Sequence, residues 1–159
     1  MVTSLPSFIE IAPDSHFSLQ NLPYGIFRPN DGSARAGVAI GNLVLDLAAL
    51  EEAGFFHTLT FGERAIFARD SLNAFLALGR PVWRRTREIL QHLLAADTAK
   101  LRDDEGLRAR AFHRQAEVTM QLPAQIGDYT DFYSSYHHGG AFREGDGLFT
   151  RTRWFDAFF

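Results

Sequence analysis

Residues 36–50, AGVAIGNLVLDLAAL, hold two apolar runs on either side of Gly41 and Asn42. Glycine at the first of two turn positions tolerates the positive φ of a type II′ connection, whose twist matches that of paired strands. The stretch reads as a β-hairpin of two β-type runs. A lone hairpin is marginal in water, so the flanking sequence decides which domain it founds.

Upstream, residues 1–35 carry Pro6, Pro13, Pro23 and Pro29, with short extended pieces FIEI at 8–11 and YGIFR at 24–28 between the turns. Downstream the apolar period becomes helical. Leu72, Phe75 and Leu76 form a stripe after a capping Asp70 or Ser71, closed by Gly79. A second helix begins with Pro81 in its first turn and places Val82, Trp83, Ile89, Leu90, Leu93 and Leu94 mostly on one face, a core stripe. A third is expected from Asp103 or Asp104 to about Phe112. EVTMQL, residues 117–122, then returns to β character, Pro123 breaks it, and residues 126–135 read as a further strand. Strands, then helices, then strands indicate an α+β domain, not repeated βαβ units.

Composition narrows the function. With 46% hydrophobic and 22% charged residues the 159-residue chain has enough apolar mass to fold. A formal net charge of −3 offers no concentrated basic surface for nucleic acid. Arg80, Arg84, Arg85 and Arg87 read as the solvated face of the second helix. No apolar run approaches the roughly 20 residues that span a bilayer, and the opening MVTSLPSFIEIAPDS lacks a basic region followed by an apolar one, so no membrane partner and a cytoplasmic location are expected. Without cysteine there are no disulfides or thiolates, and any metal must be held by oxygen or imidazole. Phosphate loop, nucleophile elbow and paired-histidine zinc helix are all missing from the sequence.

Chemically capable residues crowd into IGDYTDFYSSYHH, residues 126–138. On a strand, Tyr129, Asp131 and Tyr133 share one face while Asp128 and Phe132 take the other. Asp131 offers a hard oxygen ligand suited to calcium or magnesium, but such a site takes about six or more oxygens, so partners must come from elsewhere. His138, seven residues on, can take a proton from water if another group orients its ring. The alternative is a polar strand end and a solvated loop, and spacing alone leaves both open. A triad of Asp131 with His137 or His138 lacks a serine in a nucleophile turn.

The blocks NLPYGIF, GVAIGNLVLDL, LNAFLALGRPVW, LRDDEGLR and QLPAQIGDYTDFYSS, in that order and followed by the histidines, resemble the N-terminal part of the fumarylacetoacetase family up to His138. That resemblance implies a hydrolase that cleaves a carbon-carbon bond of 4-fumarylacetoacetate to fumarate and acetoacetate in tyrosine and phenylalanine catabolism. It implies a small SH3-like β-barrel domain with a few helices over residues 1–122, then the first strand of a β-roll catalytic domain over 123–159. By the same resemblance Asp131 is a calcium ligand, Tyr133 a substrate-binding residue and His138 the catalytic histidine, with magnesium as a second ion and a homodimer as the assembly. His137 has no catalytic counterpart in the family and reads as a neighbour of the base.

From about residue 139 the sequence departs from the family pattern. Arg143 stands in an FR context like that of the family's substrate-binding arginine, though a few residues early, and a solvated loop arginine fits it equally well. The expectation is a truncated, inactive piece of such an enzyme, the alternative a stand-alone barrel serving as a binding or dimerisation module without catalysis.

Overall fold

The hairpin forms as its sequence dictates. In the computed structural model, which describes residues 6–30, 32–59 and 65–128, Ile40 pairs with Leu43 across Gly41 and Asn42. Gly41 takes a φ of 53° and Asn42 keeps a negative one, the type II′ signature. A Cβ at Gly41 would lie 2.8 Å from the Glu10 carbonyl oxygen, so the turn needs glycine for space as well as for φ.

Contacts divide the chain into Met1–Gln125 and Ile126–Phe159, and every element described lies in the first. Strands β1 (Tyr24–Pro29), β2 (Arg35–Ile40) and β3 (Leu43–Asp46) make a meander that runs into helix α1 (Leu47–Glu52). Helices α2 (Asn73–Ala77), α3 (Arg80–Leu94), α4 (Ala99–Arg102) and α5 (Glu105–Ala111) follow, then strands β4 (Phe112–Arg114) and β5 (Val118–Gln121). The five strands form one antiparallel sheet in the order β4-β3-β2-β1-β5. The class is α+β.

Register gives the sheet two different faces. Ile26, Ala36, Val38, Ile40 and Leu45 share the face that joins Leu47, Leu50, Phe67, Phe75, Leu90 and Leu94 in the main core. Each such valine, leucine, isoleucine or phenylalanine side chain, fully withdrawn from water, contributes about 2 kcal/mol. Phe27, Arg35, Gly37, Val44, Asp46 and His113 occupy the other face. Gly37 makes room there, since a Cβ would lie 2.8 Å from the Phe27 ring.

Several local expectations are corrected. The second apolar run does not continue as strand: Asp46 ends β3 and its carboxylate accepts from the Ala48 and Ala49 amides, so the good helix formers that follow become α1. Neither Asp70 nor Ser71 caps α2, whose N-cap is Leu72 without a side-chain cap. FIEI stays outside the sheet, where an isolated bridge joins Ser7 to Ala95 and the Phe8 amide donates to the Leu94 carbonyl at 3.2 Å. Phe112 begins β4 instead of ending α5; of the strand expected over 126–135, residues 126–128 form none and residues 129–135 lie outside the described residues. The second helix, the Asp104 cap of α5 and β5 form as the sequence indicates.

The arginine face is only partly solvated. Arg80, Arg84 and Arg85 are exposed, but Arg87 Nη2 donates to the Asn21 carbonyl at 2.6 Å and also to that of Gln20, pinning the loop before β1. Among the described residues no helix is long and apolar enough to cross a membrane.

Candidate functional site

Asp131, Tyr133, His138 and Arg143, with the neighbouring Tyr129, Phe132 and His137, lie outside the described residues. What the structure describes is the ground from which their segment starts. Pro123, lacking an N–H, stands just past the end of β5, and no strand runs through residues 122–128. Beyond it the backbone is held by the start of α2: the Leu72 amide donates to the Pro123 carbonyl at 2.8 Å. Asn73 then grips Gln125 from both sides, its Oδ1 accepting from the Gln125 N–H at 2.9 Å and its Nδ2 donating to the Gln125 carbonyl at 3.1 Å. The helix that carries these groups is anchored below, with Phe75 buried against Tyr24 and Phe67 and its carbonyl accepting from Trp83 Nε1 at 2.9 Å.

The second concentration of polar chemistry sits on the sheet face opposite the main core. Asp46 is 2% exposed. Its Oδ1 accepts from Ala48 N at 2.9 Å and Ala49 N at 3.2 Å, and its Oδ2 from Arg35 Nε at 2.5 Å. The His113 ring lies 5.3 Å from that of Phe27, and its buried Nε2, without a hydrogen-bond partner, stands 3.7 Å from Asp46 Oδ2. Arg35 also sits over the Phe27 ring, its Cζ at 5.4 Å. A carboxylate engaged on both oxygens is a joint between strand, helix and cross-strand partner, with little capacity left for a ligand.

Glu51 works similarly, accepting from Ile66 N at 3.0 Å and Phe67 N at 2.9 Å and so closing the loop after α1. Tyr24 is mostly buried with an unpartnered hydroxyl, and burial pushes its pKa up to about 12 against a smaller lowering by Arg87. An aromatic group so protonated serves packing, not acid-base exchange near neutral pH.

No group of three or more histidine, aspartate or glutamate side chains among the described residues could hold a metal ion. Open surface cavities among the described residues include two with defined linings. One of about 520 Å³ is lined by Arg28, Pro29, Asn30, Gly32, Ser33 and Thr119, the other, of about 320 Å³, by Ile9, Leu43, Glu105, Arg108, Ala109 and Phe112. Neither of these two joins a histidine to a carboxylate. Sequence reasoning missed Asn73, Arg87, Asp46 and Glu51 as polar anchors. Asp46 alone carried a local signal, as an N-cap type followed by helix formers.

The sequence pattern of the family described as fumarylacetoacetase N-terminal matches residues 20–123. Fumarylacetoacetase from Arabidopsis thaliana is 50% identical over 135 residues, covering 84% of this chain and 32% of the relative. The Bos taurus fumarylacetoacetase is 49% identical over 133 residues, covering 83% of this chain and 32% of the relative, and the Homo sapiens protein is 47% identical over the same span and shares. The chain spans about a third of the length of the curated relatives it matches. With the family pattern matched over residues 20–123 and identity of this level over 84% of its length, the chain belongs to the fumarylacetoacetase family and corresponds to its N-terminal region.

Proposed function

We propose that this chain supplies the N-terminal portion of a fumarylacetoacetase, which hydrolyses a carbon-carbon bond of 4-fumarylacetoacetate to fumarate and acetoacetate in the breakdown of tyrosine and phenylalanine. The observation that carries the reading is 50% identity over 135 residues with a protein of that name. In this reading the sheet is an SH3-like barrel ending near residue 122, and the segment after Pro123 opens a catalytic β-roll domain. The working protein is a cytoplasmic homodimer.

His138 takes a proton from the attacking water, Tyr133 orients the substrate, and Arg143 contacts it if the displaced FR context serves the same end. Asp131 is the carboxylate that would ligate calcium. When bound, that ion supplies Lewis-acid stabilisation of the charge developing on the acetoacetate fragment, and magnesium is the second ion of the reading. The described residues do not fit either ion, because no acidic or histidine cluster forms among them. Any complete site therefore draws on ligands beyond them.

A second reading is a barrel that binds or dimerises without chemistry. The self-contained core of the first unit, with no catalytic constellation among its described residues, favours it. Loss of the ultraviolet absorbance of 4-fumarylacetoacetate separates the two. We expect no turnover by the purified chain with or without calcium, and turnover when it is co-expressed with the remaining two thirds of the Arabidopsis relative. Turnover by the chain alone, near that of a complete enzyme, would sink the need for a complement. A folded chain that stays silent with the complement would favour the binding module.

A further inference from the structure

We propose that Asn73 is a positioning residue, a two-point clamp that fixes the Gln125 peptide from which the reactive segment departs; this rests on the reading of Asp131 and His138 given above. The exit is otherwise poorly held. β5 ends at Gln121, and no strand continues through residues 122–128. Residues 122 and 126 are exposed apolar side chains, Leu122 at 75% and Ile126 at 56%, so the described structure gives them little burial.

Against that background the side-chain amide of Asn73 presents one acceptor and one donor, spaced to meet the N–H and C=O of a single peptide residue. It imitates one rung of a strand ladder where no strand exists. Leu72 adds a third hydrogen bond two residues upstream, at the Pro123 carbonyl. Because both Asn73 contacts are exposed, water competes for them, and their net contribution to global stability is small. Their effect is local order. In the sequence Gln125 precedes Asp131 by six residues and His138 by thirteen. The mount is rigid: Phe75, two residues after Asn73, is 3% exposed and packed between aromatic rings. A precise constellation needs supports on such elements.

The test uses the whole 159-residue chain and compares Asn73→Ala and the near-isosteric Asn73→Leu with the parent. Amide hydrogen exchange and ¹⁵N relaxation are followed by NMR at Gln125, with Ile26 and Val38 in the sheet as references. We expect Gln125 protection to fall about tenfold or more in both variants and its order parameter to drop towards the flexible range, below about 0.6, while the sheet amides are unchanged. Three outcomes overturn the clamp. These are unchanged exchange at Gln125, loss in the alanine but not the leucine variant, which would mean packing, and equal loss across the sheet, which would mean general destabilisation. Both readouts are taken without substrate, so failure of the hydrolase reading would leave the clamp result standing.

Discussion

Replacing Asp46 tests whether one buried carboxylate ties the hairpin to the helix that follows it. In Asp46→Ala the Ala48 and Ala49 amides lose their acceptor, a capping loss of about 1 kcal/mol. Arg35 loses its partner as well. Removing one member of a fully buried pair costs about 3–5 kcal/mol, but the Arg35 side chain keeps 21% of its surface exposed, which brings this part down to about 2 kcal/mol. The total expected is about 3 kcal/mol. Asp46→Asn keeps an equally good cap and removes only the charge, so its cost is about 1–2 kcal/mol. Urea unfolding of the parent, both variants, Arg35→Met and the Arg35→Met/Asp46→Asn pair measures these differences. The parent, Asp46→Asn, Arg35→Met and the double variant form a double-mutant cycle, with an expected coupling of about 1 kcal/mol or more. Asp46→Ala within 1 kcal/mol of the parent, or asparagine as damaging as alanine, would refute the division into cap and ion pair.

Two further substitutions probe single features. Tyr24→Phe removes a buried hydroxyl without a partner and should leave stability at pH 7 unchanged or raise it by up to about 1 kcal/mol. Because the folded-state value near 12 exceeds the ordinary 10.0, the parent's advantage from a neutral Tyr24 is complete below pH 10 and is lost as pH rises towards 12. The phenylalanine variant should lack that part of the alkaline decline in urea titrations, and a neutral-pH cost above about 1 kcal/mol would mean the hydroxyl is satisfied. Gly41→Ala and Gly54→Ala both place a Cβ at positive φ, but only the first brings it against a backbone oxygen, at 2.8 Å. Thermal unfolding should show a cost of about 1–2 kcal/mol at Gly54 and about 3 kcal/mol at Gly41, and equal costs would remove the steric argument.

What the sequence made legible were features with local causes. Gly41 and Asn42 between apolar runs define the hairpin, Asp104 defines the start of α5, and the Val82 to Leu94 stripe defines α3. Misreadings arose where the deciding partner was distant. Leu72 serves as a cap position because its amide finds the Pro123 carbonyl, and Arg87 turns inward because loop carbonyls lie 66 and 67 residues away in sequence. α1 was hidden because LAAL suits either a buried strand or a helix, and the arbiter was the side chain of Asp46. β4 is three residues long, too short for any period to show. For the candidate site, the residue types and the family blocks were legible, whereas the Asn73 clamp spans 52 residues and leaves no mark on local sequence.

The strand order carries a consequence for how such a chain comes off the ribosome. β1, β2 and β3 occupy the middle of the sheet and are complete by residue 46, whereas both strands that flank them come from residues 112–121. Between those points of synthesis the nascent meander exposes unpaired backbone on its two outer sides, an invitation to pair with another chain. Every nascent or cleaved product ending between α1 and β4 has both margins open. The ten residues that cover them replace those margins with the short edges of β4 and β5, three and four residues long, which offer a second chain far less to pair with.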